Sequence, residues 1–289
     1  MAVGSTVRHL NVADVKRIPL PAMPALAEQR RIVDILEDHL SRLDAANDYL
    51  HAAERRGRSL AQSTLDRLVW TSDVPVVPLA SVLREPMRNG FSARASATGS
   101  VRVLTLTAVT RRTFTNEYTK LTDAAVERVR GLWLKPGDVF VQRANTPELV
   151  GSAALYDGEP DWAVFPDLLI RLRADPAVMT PQFLALALQT ERCHRALRAR
   201  AKGLAGSMPK VDQGAIAALE VPCPSLDAQH RIVAEAASHV GSVRTLSDAV
   251  LTAQRRGLAL RRGVLDAAFR GHLSGRPSVS ERADELTFA

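Results

Sequence analysis

Apolar residues recur at steps of three and four along two stretches of the chain, with polar residues between them. The stretches start at Ile32 and Ile232, and each continues for about ten helical turns without a proline. A narrow apolar stripe at this spacing is typical of a coiled-coil seam. We therefore predict two long helices, over residues 27–70 and 227–273, that pair as an antiparallel coiled coil. The alternative is two independent amphipathic helices, each packed on its own globular domain.

The two stretches are copies of one segment. Residues 24–66 and 224–266 align without a gap at an offset of 200 positions, with 15 identities in 43 positions. Prolines precede both copies and can fix the start of each helix. A repeat of this kind frames a part that occurs only once, roughly residues 71–223, and we expect the individual function there, in a domain over residues 71–226.

The framed part mixes strand and helix patterns. We predict strands at residues 101–109, 139–141, 151–156 and 163–172, either a strand or a short helix at 76–83, and a single helix at 181–201 with a strongly basic end. The predicted fold class is therefore α+β, with one mixed α/β domain framed by two long helices that form the antiparallel coiled coil.

The two termini differ from the rest of the chain. Residues 4–26 are similar in order and type to residues 206–226, which close the framed part. We therefore expect residues 1–26 to be the last piece of a second domain of the same kind, whose body is missing. Residues 274–289 are expected to form a polar tail.

The charge of the chain indicates which class of partner it could bind. The net charge is +7, from 38 basic and 31 acidic residues, and the excess lies in the framed part (19 basic, 15 acidic) and in the second repeat. An arginine-rich chain suits a polyanionic partner, although a solvated charged surface would have the same composition. The apolar content of 46% fits a soluble globular protein. No apolar run approaches the ~20 residues that cross a membrane, so no membrane partner is expected.

Few residues point to chemistry within the chain. The two cysteines fit a reducing cytoplasm better than a disulfide framework or a zinc site. Cys193 and His194 are adjacent on a predicted helix, so they point apart and make a poor nucleophile or ligand pair. Motifs for amino-methyl transfer, for a glycine-rich cofactor loop and for ATP binding are absent from the sequence. We expect no catalytic residue, no metal site and no cofactor in this chain.

The order of motifs resembles the DNA-specificity subunit of type I restriction–modification systems. Each helix opens with prolines followed by Leu-x-x-Gln-x-Arg-Ile-Val, at residues 21–33 and 222–233. The framed part is similar to a target-recognition domain of that family through residues 134–143, 150–151 and 165–172 and the Gly-Ser loop after the basic helix. The family has two recognition domains on one chain, whereas this chain has one, so it resembles a half-size or split form.

The resemblance implies a non-catalytic targeting role. The partners it implies are double-stranded DNA, modification subunits that methylate adenine with S-adenosylmethionine, and a restriction motor subunit. The second recognition domain would come either from a second copy of the chain or from a separate chain. The alternatives are a coiled-coil scaffold whose middle domain binds a partner other than a nucleic acid, and a methyltransferase with unrecognised motifs.

Candidate DNA contacts lie on loops of the framed part. Arginine and lysine suit guanine, asparagine and glutamine suit adenine, and phosphate contacts supply most of the affinity. The candidate base readers are Arg88, Asn89, Arg94, Arg111, Arg112, Arg143, Asn145, Ser207 and Lys210. The candidate phosphate contacts are Arg195, Arg198, Arg200 and Lys202. The resemblance favours the loops of Arg143 and Ser207.

Overall fold

A computed structural model of the chain describes residues 11–17, 23–92, 94–203 and 208–273. The helices are α1 (Val12–Val15), α2 (Leu26–Val69), α3 (Leu106–Arg111), α4 (Val126–Val129), α5 (Pro181–Gln189), α6 (Glu191–Arg200), α7 (Gln213–Ala217) and α8 (Leu226–Phe269). The strands are β1 (Val76–Pro78), β2 (Arg88–Asn89), β3 (Val101–Leu104), β4 (Thr119–Thr122), β5 (Val139–Gln142), β6 (Ala153–Leu155), β7 (Leu169–Leu172) and β8 (Glu220–Pro222). The chain forms two compact units, Met1–Gly57 with Thr245–Ala289 and Arg58–Arg244.

The two long helices have the same length, and their bounds lie 200 residues apart. Each is 44 residues long. Each also begins with the same local bond, because a glutamine in the first turn donates its Nε2 to the carbonyl of the proline that precedes the helix. The distance is 2.8 Å from Gln29 to Pro24 and 2.9 Å from Gln229 to Pro224. The repeated glutamine and proline thus build the same helix start twice.

In the first unit, α2 and α8 run antiparallel. Arg261 forms an ion pair with Asp44, and the Gln254 amide lies 3.4 Å from Nδ1 of His51. From the first of these contacts to the second, the residue number rises along α2 and falls along α8, as it must in an antiparallel pair. Small residues allow close approach, because a Cβ added to Gly57 would lie 2.7 Å from Cδ2 of Leu246. The predicted antiparallel coiled coil is confirmed.

The second unit is built around a four-stranded antiparallel sheet in the order β2-β7-β5-β6. Both faces of this sheet are covered, so β5 and β7 are buried along their whole length. Val139 and Val141 of β5 join a core with α5, α6 and the β1–β8 pair, while Phe140 points into a second core with α3 and the β3–β4 pair. The predicted mixed α/β domain is confirmed.

The single helix predicted over residues 181–201 is two helices. Thr190 separates α5 from α6 because its backbone is extended, with φ −64° and ψ 146°. Its hydroxyl donates to the Ala187 carbonyl at 2.6 Å and accepts from the Cys193 amide, so one buried side chain ends one helix and caps the next.

Three predicted strands are shorter than expected. The run at 151–156 is a strand only over Ala153–Leu155, and the other two runs differ more. The alternating run at 101–109 is a strand only to Leu104, after which α3 begins at Leu106. The run at 163–172 is a strand only from Leu169, and Val164 makes isolated bridges to Val103 and Trp133. In both cases burial on more than one side, rather than strand geometry, accounts for the apolar pattern.

Candidate nucleic-acid interface

One edge of the four-stranded sheet gathers the ends of three strands. Asn89 ends β2 opposite Ile170 of β7, and β5 ends at Gln142, opposite Leu169. The next residue, Arg143, donates its backbone N–H to the Leu168 carbonyl at 2.8 Å, and its own carbonyl accepts from Val211 at 2.8 Å. Backbone bonds on both sides therefore fix the loop that carries the Arg143 side chain.

Two lysines lie beside this loop. Lys202 and Lys210 exchange a pair of backbone hydrogen bonds of 2.8 and 2.9 Å, and Lys210 also bridges to Ala144. Lys202 additionally pairs with Asp212 at 3.2 Å, and both charged groups are largely exposed. The Arg143 guanidinium has no partner among the described residues. The structure therefore brings Arg143, Lys202 and Lys210 to one edge.

Gln213 joins the same edge, although the sequence reasoning did not single it out. Its Nε2 donates to Oδ1 of Asn89 at 3.0 Å, which links α7 to β2. Asp212 caps α7 by accepting the Ala215 amide at 2.8 Å, and this fixes Gln213 in the first turn. The signal in the sequence was an amide side chain directly after a helix-capping aspartate and three residues after Lys210. We call Asn89, Arg143, Lys202, Lys210 and Gln213 the basic edge.

Glycine at position 90 lets β2 reach this edge. The Gly90 amide donates to the Leu169 carbonyl at 3.3 Å, and a Cβ at this position would lie 2.1 Å from the carbonyl oxygen of Phe165. No side chain fits there without moving the backbone. Arg88 and Asn89 are thus held against the sheet by a close approach that only glycine permits.

Asn145, a predicted base reader, has both ends of its amide bonded within the chain. Nδ2 donates to Oε1 of Gln142 at 2.5 Å, and Oδ1 accepts the Thr146 amide at 2.8 Å. Gln142 is itself buried and donates to Thr110 and to the carbonyl of Leu106. In this arrangement Asn145 positions the loop that follows Arg143.

A second basic group surrounds His194 on α6. The ring Nε2 lies 3.0 Å from the Val150 carbonyl. Burial is the largest cause that lowers the pKa of His194, and the positive charges of Arg198 and Arg112 act in the same direction. Arg112 ends α3 in the left-handed region, at φ 54°. This second group therefore consists of Arg112 and Arg198, whose positive charges both act on His194. Arg111 precedes Arg112 in the sequence.

The remaining candidates are more dispersed. Arg195 pairs with Glu191 at 3.4 Å and lines an open cleft with Trp70, over which the guanidinium of Arg192 stacks at 3.9 Å. Arg200 donates to the carbonyl of Ala196 in its own helix. Arg88 and Arg94 are exposed. Ser207 lies outside the described residues. The predicted phosphate contacts therefore have different neighbours within the chain.

Over the described ranges, no group of three or more histidine, cysteine, aspartate or glutamate side chains is placed to hold a metal ion. Within the same part of the chain, no helix is both long and apolar enough to cross a membrane. Both cysteines are free, and burial raises the pKa of the Cys193 thiol to about 11.

No protein-family profile and no curated protein matches the chain. Solved structures do match it. A chain from a structure of the assembly and conformational transition of the type I R-M system has 20% identity and a TM-score of 0.72, covering 93% of this chain and 65% of that chain. The HsdS subunit from Thermoanaerobacter tengcongensis has 21% identity and a TM-score of 0.51, covering 93% and 64%. The type I S subunit from M. genitalium has 13% identity and a TM-score of 0.46, covering 93% and 67%.

These likenesses extend along nearly the whole chain but not along the whole of the matched proteins. The chain spans 65% and 64% of the length of the first two. The comparison therefore establishes the fold, which includes both long helices and one mixed domain.

Proposed function

We propose that this chain, which has the fold of the S subunits of type I restriction–modification systems, is a DNA-specificity subunit that reads duplex DNA through residues 71–226. It has no catalytic role of its own in this proposal. Partner subunits would carry out adenine methylation, with S-adenosylmethionine as their cofactor, and restriction. The chain would act in the cytoplasm, where the DNA is accessible.

The basic edge is the observation that carries the proposal. It combines a guanidinium, two ammonium groups and an amide pair on segments whose backbones are fixed by hydrogen bonds. Arginine pairs with the edge of guanine through two parallel bonds, and an amide pairs in the same way with adenine. A rigid support is what such bonds require, because a misplaced donor loses the discrimination between bases. Arg143, Asn89 and Gln213 are the proposed base readers.

Phosphate contacts would flank these readers. Lys202 and Lys210 lie within the basic edge, and Arg198 with Arg112 forms the second basic group. Arg111, Arg94, Arg88, Arg195 and Arg200 stay candidate contacts that DNA-binding measurements can rank. Such contacts add affinity for any sequence and make it fall with salt.

The coiled coil would serve as a spacer and docking platform. The proposed partners are the modification subunits and the restriction subunit, with a second recognition domain supplied by a second copy of this chain or by a separate chain. A bipartite target needs two reading domains at a fixed distance, and a pair of long helices provides such a distance.

Fluorescence anisotropy with labelled duplexes tests the proposal. We expect the purified chain to bind duplex DNA with an affinity that falls steeply between about 50 and 200 mM salt. Arg143→Ala should weaken binding to the preferred sequence by roughly tenfold or more. Arg42→Ala is the matched control, because Arg42 is exposed and paired with Asp38 on its own helix.

Two results would reject the proposal. One is binding that does not respond to salt, which would favour the coiled-coil scaffold whose middle domain binds a partner other than a nucleic acid. The other is a purified complex with modification subunits that methylates DNA without sequence preference. Labelling of the isolated chain by S-adenosylmethionine would instead identify it as a methyltransferase.

A further inference from the structure

The loop between β5 and β6, residues 143–152, is anchored at its two ends. The Gln142 amide donates to the Ser152 carbonyl at 2.8 Å, and the Gly151 amide donates to the Gln142 carbonyl at 2.9 Å. Gly151 has a positive φ of 81°, and a Cβ at this position would lie 2.9 Å from Cβ of Leu197 on α6. The stem of this loop, which we call the β5–β6 loop, therefore packs closely on the domain and has a fixed position.

The buried side chain of Gln142 holds the first half of the β5–β6 loop. Gln142 is 0% exposed, and its Nε2 donates to the Leu106 carbonyl at 3.1 Å and to the Thr110 hydroxyl at 2.6 Å. Its Oε1 accepts from Nδ2 of Asn145 at 2.5 Å. Asn145 in turn accepts the Thr146 amide at 2.8 Å. A chain of side-chain bonds thus runs from α3 to the tip of the loop.

The tip of the β5–β6 loop is a tight turn that contains Glu148. The amides of Leu149 and Val150 both donate to the Thr146 carbonyl at 3.0 Å. The Val150 carbonyl lies 3.0 Å from the ring Nε2 of His194, which ties the far side of the turn to α6. Glu148 is exposed. The loop therefore presents one carboxylate to solvent from a turn that is held on both sides.

The carboxylate of Glu148 is ionised at neutral pH. Its pKa is lowered, first by a hydrogen bond from its own backbone N–H, then by one from the Thr146 hydroxyl, and also by the positive charge of Arg198. The carboxylate is in no ion pair with any residue that the structure describes. It therefore keeps acceptor positions for a partner outside the chain.

The charges around Glu148 are positive. Arg143 begins the same loop, and Arg198 belongs to the second basic group with Arg112. On a surface that binds phosphates, a carboxylate lowers the affinity by repulsion. One group on the edges of the bases suits it, because the N4 amino group of cytosine donates to a carboxylate in the major groove. An acidic side chain at this place thus favours contact with a base over contact with the phosphates.

We propose that Glu148 is a base reader that selects cytosine, by accepting a hydrogen bond from the N4 amino group in the major groove. Arg143, five residues earlier on the same loop, would read a guanine of the same target. The inference rests on the proposed function, because it requires that residues 71–226 bind duplex DNA. It adds an acidic reader to a basic site and names the base that this reader selects.

A structural role of Glu148 can be separated from base reading by its substitution with glutamine. The carboxylate closes its own turn by accepting from its backbone N–H and from Thr146. A glutamine amide oxygen can accept the same two bonds, so Glu148→Gln keeps the turn. In the major groove, however, glutamine pairs with adenine instead of cytosine. A change of preferred base in Glu148→Gln is therefore not expected from a structural role.

Selection from a random-sequence duplex library by the full chain and its variants tests the inference. We expect the wild-type chain to enrich a motif with a cytosine that Glu148→Gln no longer selects, with adenine gaining at that position alone. In competition binding, the preference for cytosine at this position should fall about tenfold or more. Glu148→Ala should lose the same preference without gaining another. Glu220→Gln is the matched control, because Glu220 is exposed on β8, which belongs to a different sheet from the basic edge.

A wild-type motif that both Glu148 variants retain would overturn the inference and leave the proposed function intact. Tighter binding of Glu148→Ala to every duplex, with the motif unchanged, would also overturn it, because the carboxylate would then only repel phosphates. The lack of any motif with the wild-type chain would reject the proposed function, and this inference with it. The two failures are therefore distinguished by the wild-type selection.

Discussion

At the residue scale, a buried carboxylate fixes the start of the strand that leads to the basic edge. Asp138 is 1% exposed and accepts from Nε of Arg173 at 2.5 Å and from the Lys135 amide at 2.9 Å. Gly137 takes a positive φ of 88° in the same turn. The turn aligns β5, and β5 ends one residue before Arg143.

We predict that Asp138→Asn destabilises the fold by about 3 kcal/mol, because it removes the buried negative charge that faces Arg173 and Arg171 and leaves Glu85 as their one acidic partner among the described residues. Urea unfolding followed by circular dichroism measures the change. Asp161→Asn is the control: Asp161 pairs with Lys135 at 2.6 Å but is half-exposed, and such pairs contribute less than about 1 kcal/mol. Equal losses in the two variants would show that burial of the Asp138 network is not what stabilises this turn.

We also predict that Gln213 and Lys210 contribute differently to DNA binding. Gln213→Ala should reduce discrimination at one base pair by about 1–3 kcal/mol, because it removes a base-reading amide and the partner of Asn89. Lys210→Ala should weaken binding to all sequences and lower the salt slope by about one. Competition binding with single-base variants of the preferred duplex separates the two effects. Identical behaviour of the two variants would contradict the assignment of Gln213 as a reader.

At the scale of the helices, the two copies of the repeat do not pack equally. Gly57 lies against Leu246, whereas a Cβ added to its equivalent, Gly257, would meet nothing within 4 Å. A groove of about 340 Å³ runs beside Gly257 and Ala46. In the repeat, Ala46 is the equivalent of Leu246. Because alanine is smaller than leucine, the space beside Gly257 stays open, whereas Leu246 fills the equivalent space beside Gly57.

We predict that Ala46→Leu stabilises the coiled coil by about 1 kcal/mol, because leucine can fill the groove against Gly257 as Leu246 does against Gly57. Helix unfolding in urea gives the change. Ala45→Leu is the control, since Ala45 is exposed and does not line the groove. A loss of stability, or the same gain in both variants, would show that the open space is not a packing defect.

The sequence pattern predicted structure best where the apolar residues of an element have a single cause, burial of one face. Each of α2 and α8 has one apolar stripe, so both helices could be predicted together with their antiparallel pairing. The run at residues 101–109 is a strand only to Leu104, because the α3 residues that follow are buried against the sheet and burial makes strand and helix patterns alike. Thr190 was missed as a helix break because its double hydrogen bond depends on tertiary burial.

The candidate site was predicted only in part for a similar reason. Arg143, Lys202 and Lys210 could be proposed from residue type and loop position. Their convergence depends on backbone pairing between residues that are far apart in sequence, such as Arg143 with Leu168 and with Val211. The engagement of Asn145 by Gln142 and the link between Gln213 and Asn89 are side-chain contacts, which no local pattern specifies.

At the scale of the whole molecule, the chain combines one mixed domain with two copies of a helix. The mixed domain carries the basic edge. The end of α2 and the start of α8 bind that domain. This division explains why the strands lie between the repeats while the repeats are long and largely polar. In the proposed function, the mixed domain reads the DNA sequence and the long helices act as the spacer.

Selection from a random-sequence duplex library by the purified full chain tests the central claim most directly. The bound duplexes are sequenced after several rounds at a salt concentration that suppresses non-specific binding. We predict that one short motif is enriched, and that Arg143→Ala abolishes the enrichment while Arg42→Ala retains it. A bound pool with no enriched motif, from a folded chain, would contradict the claim that residues 71–226 read DNA sequence.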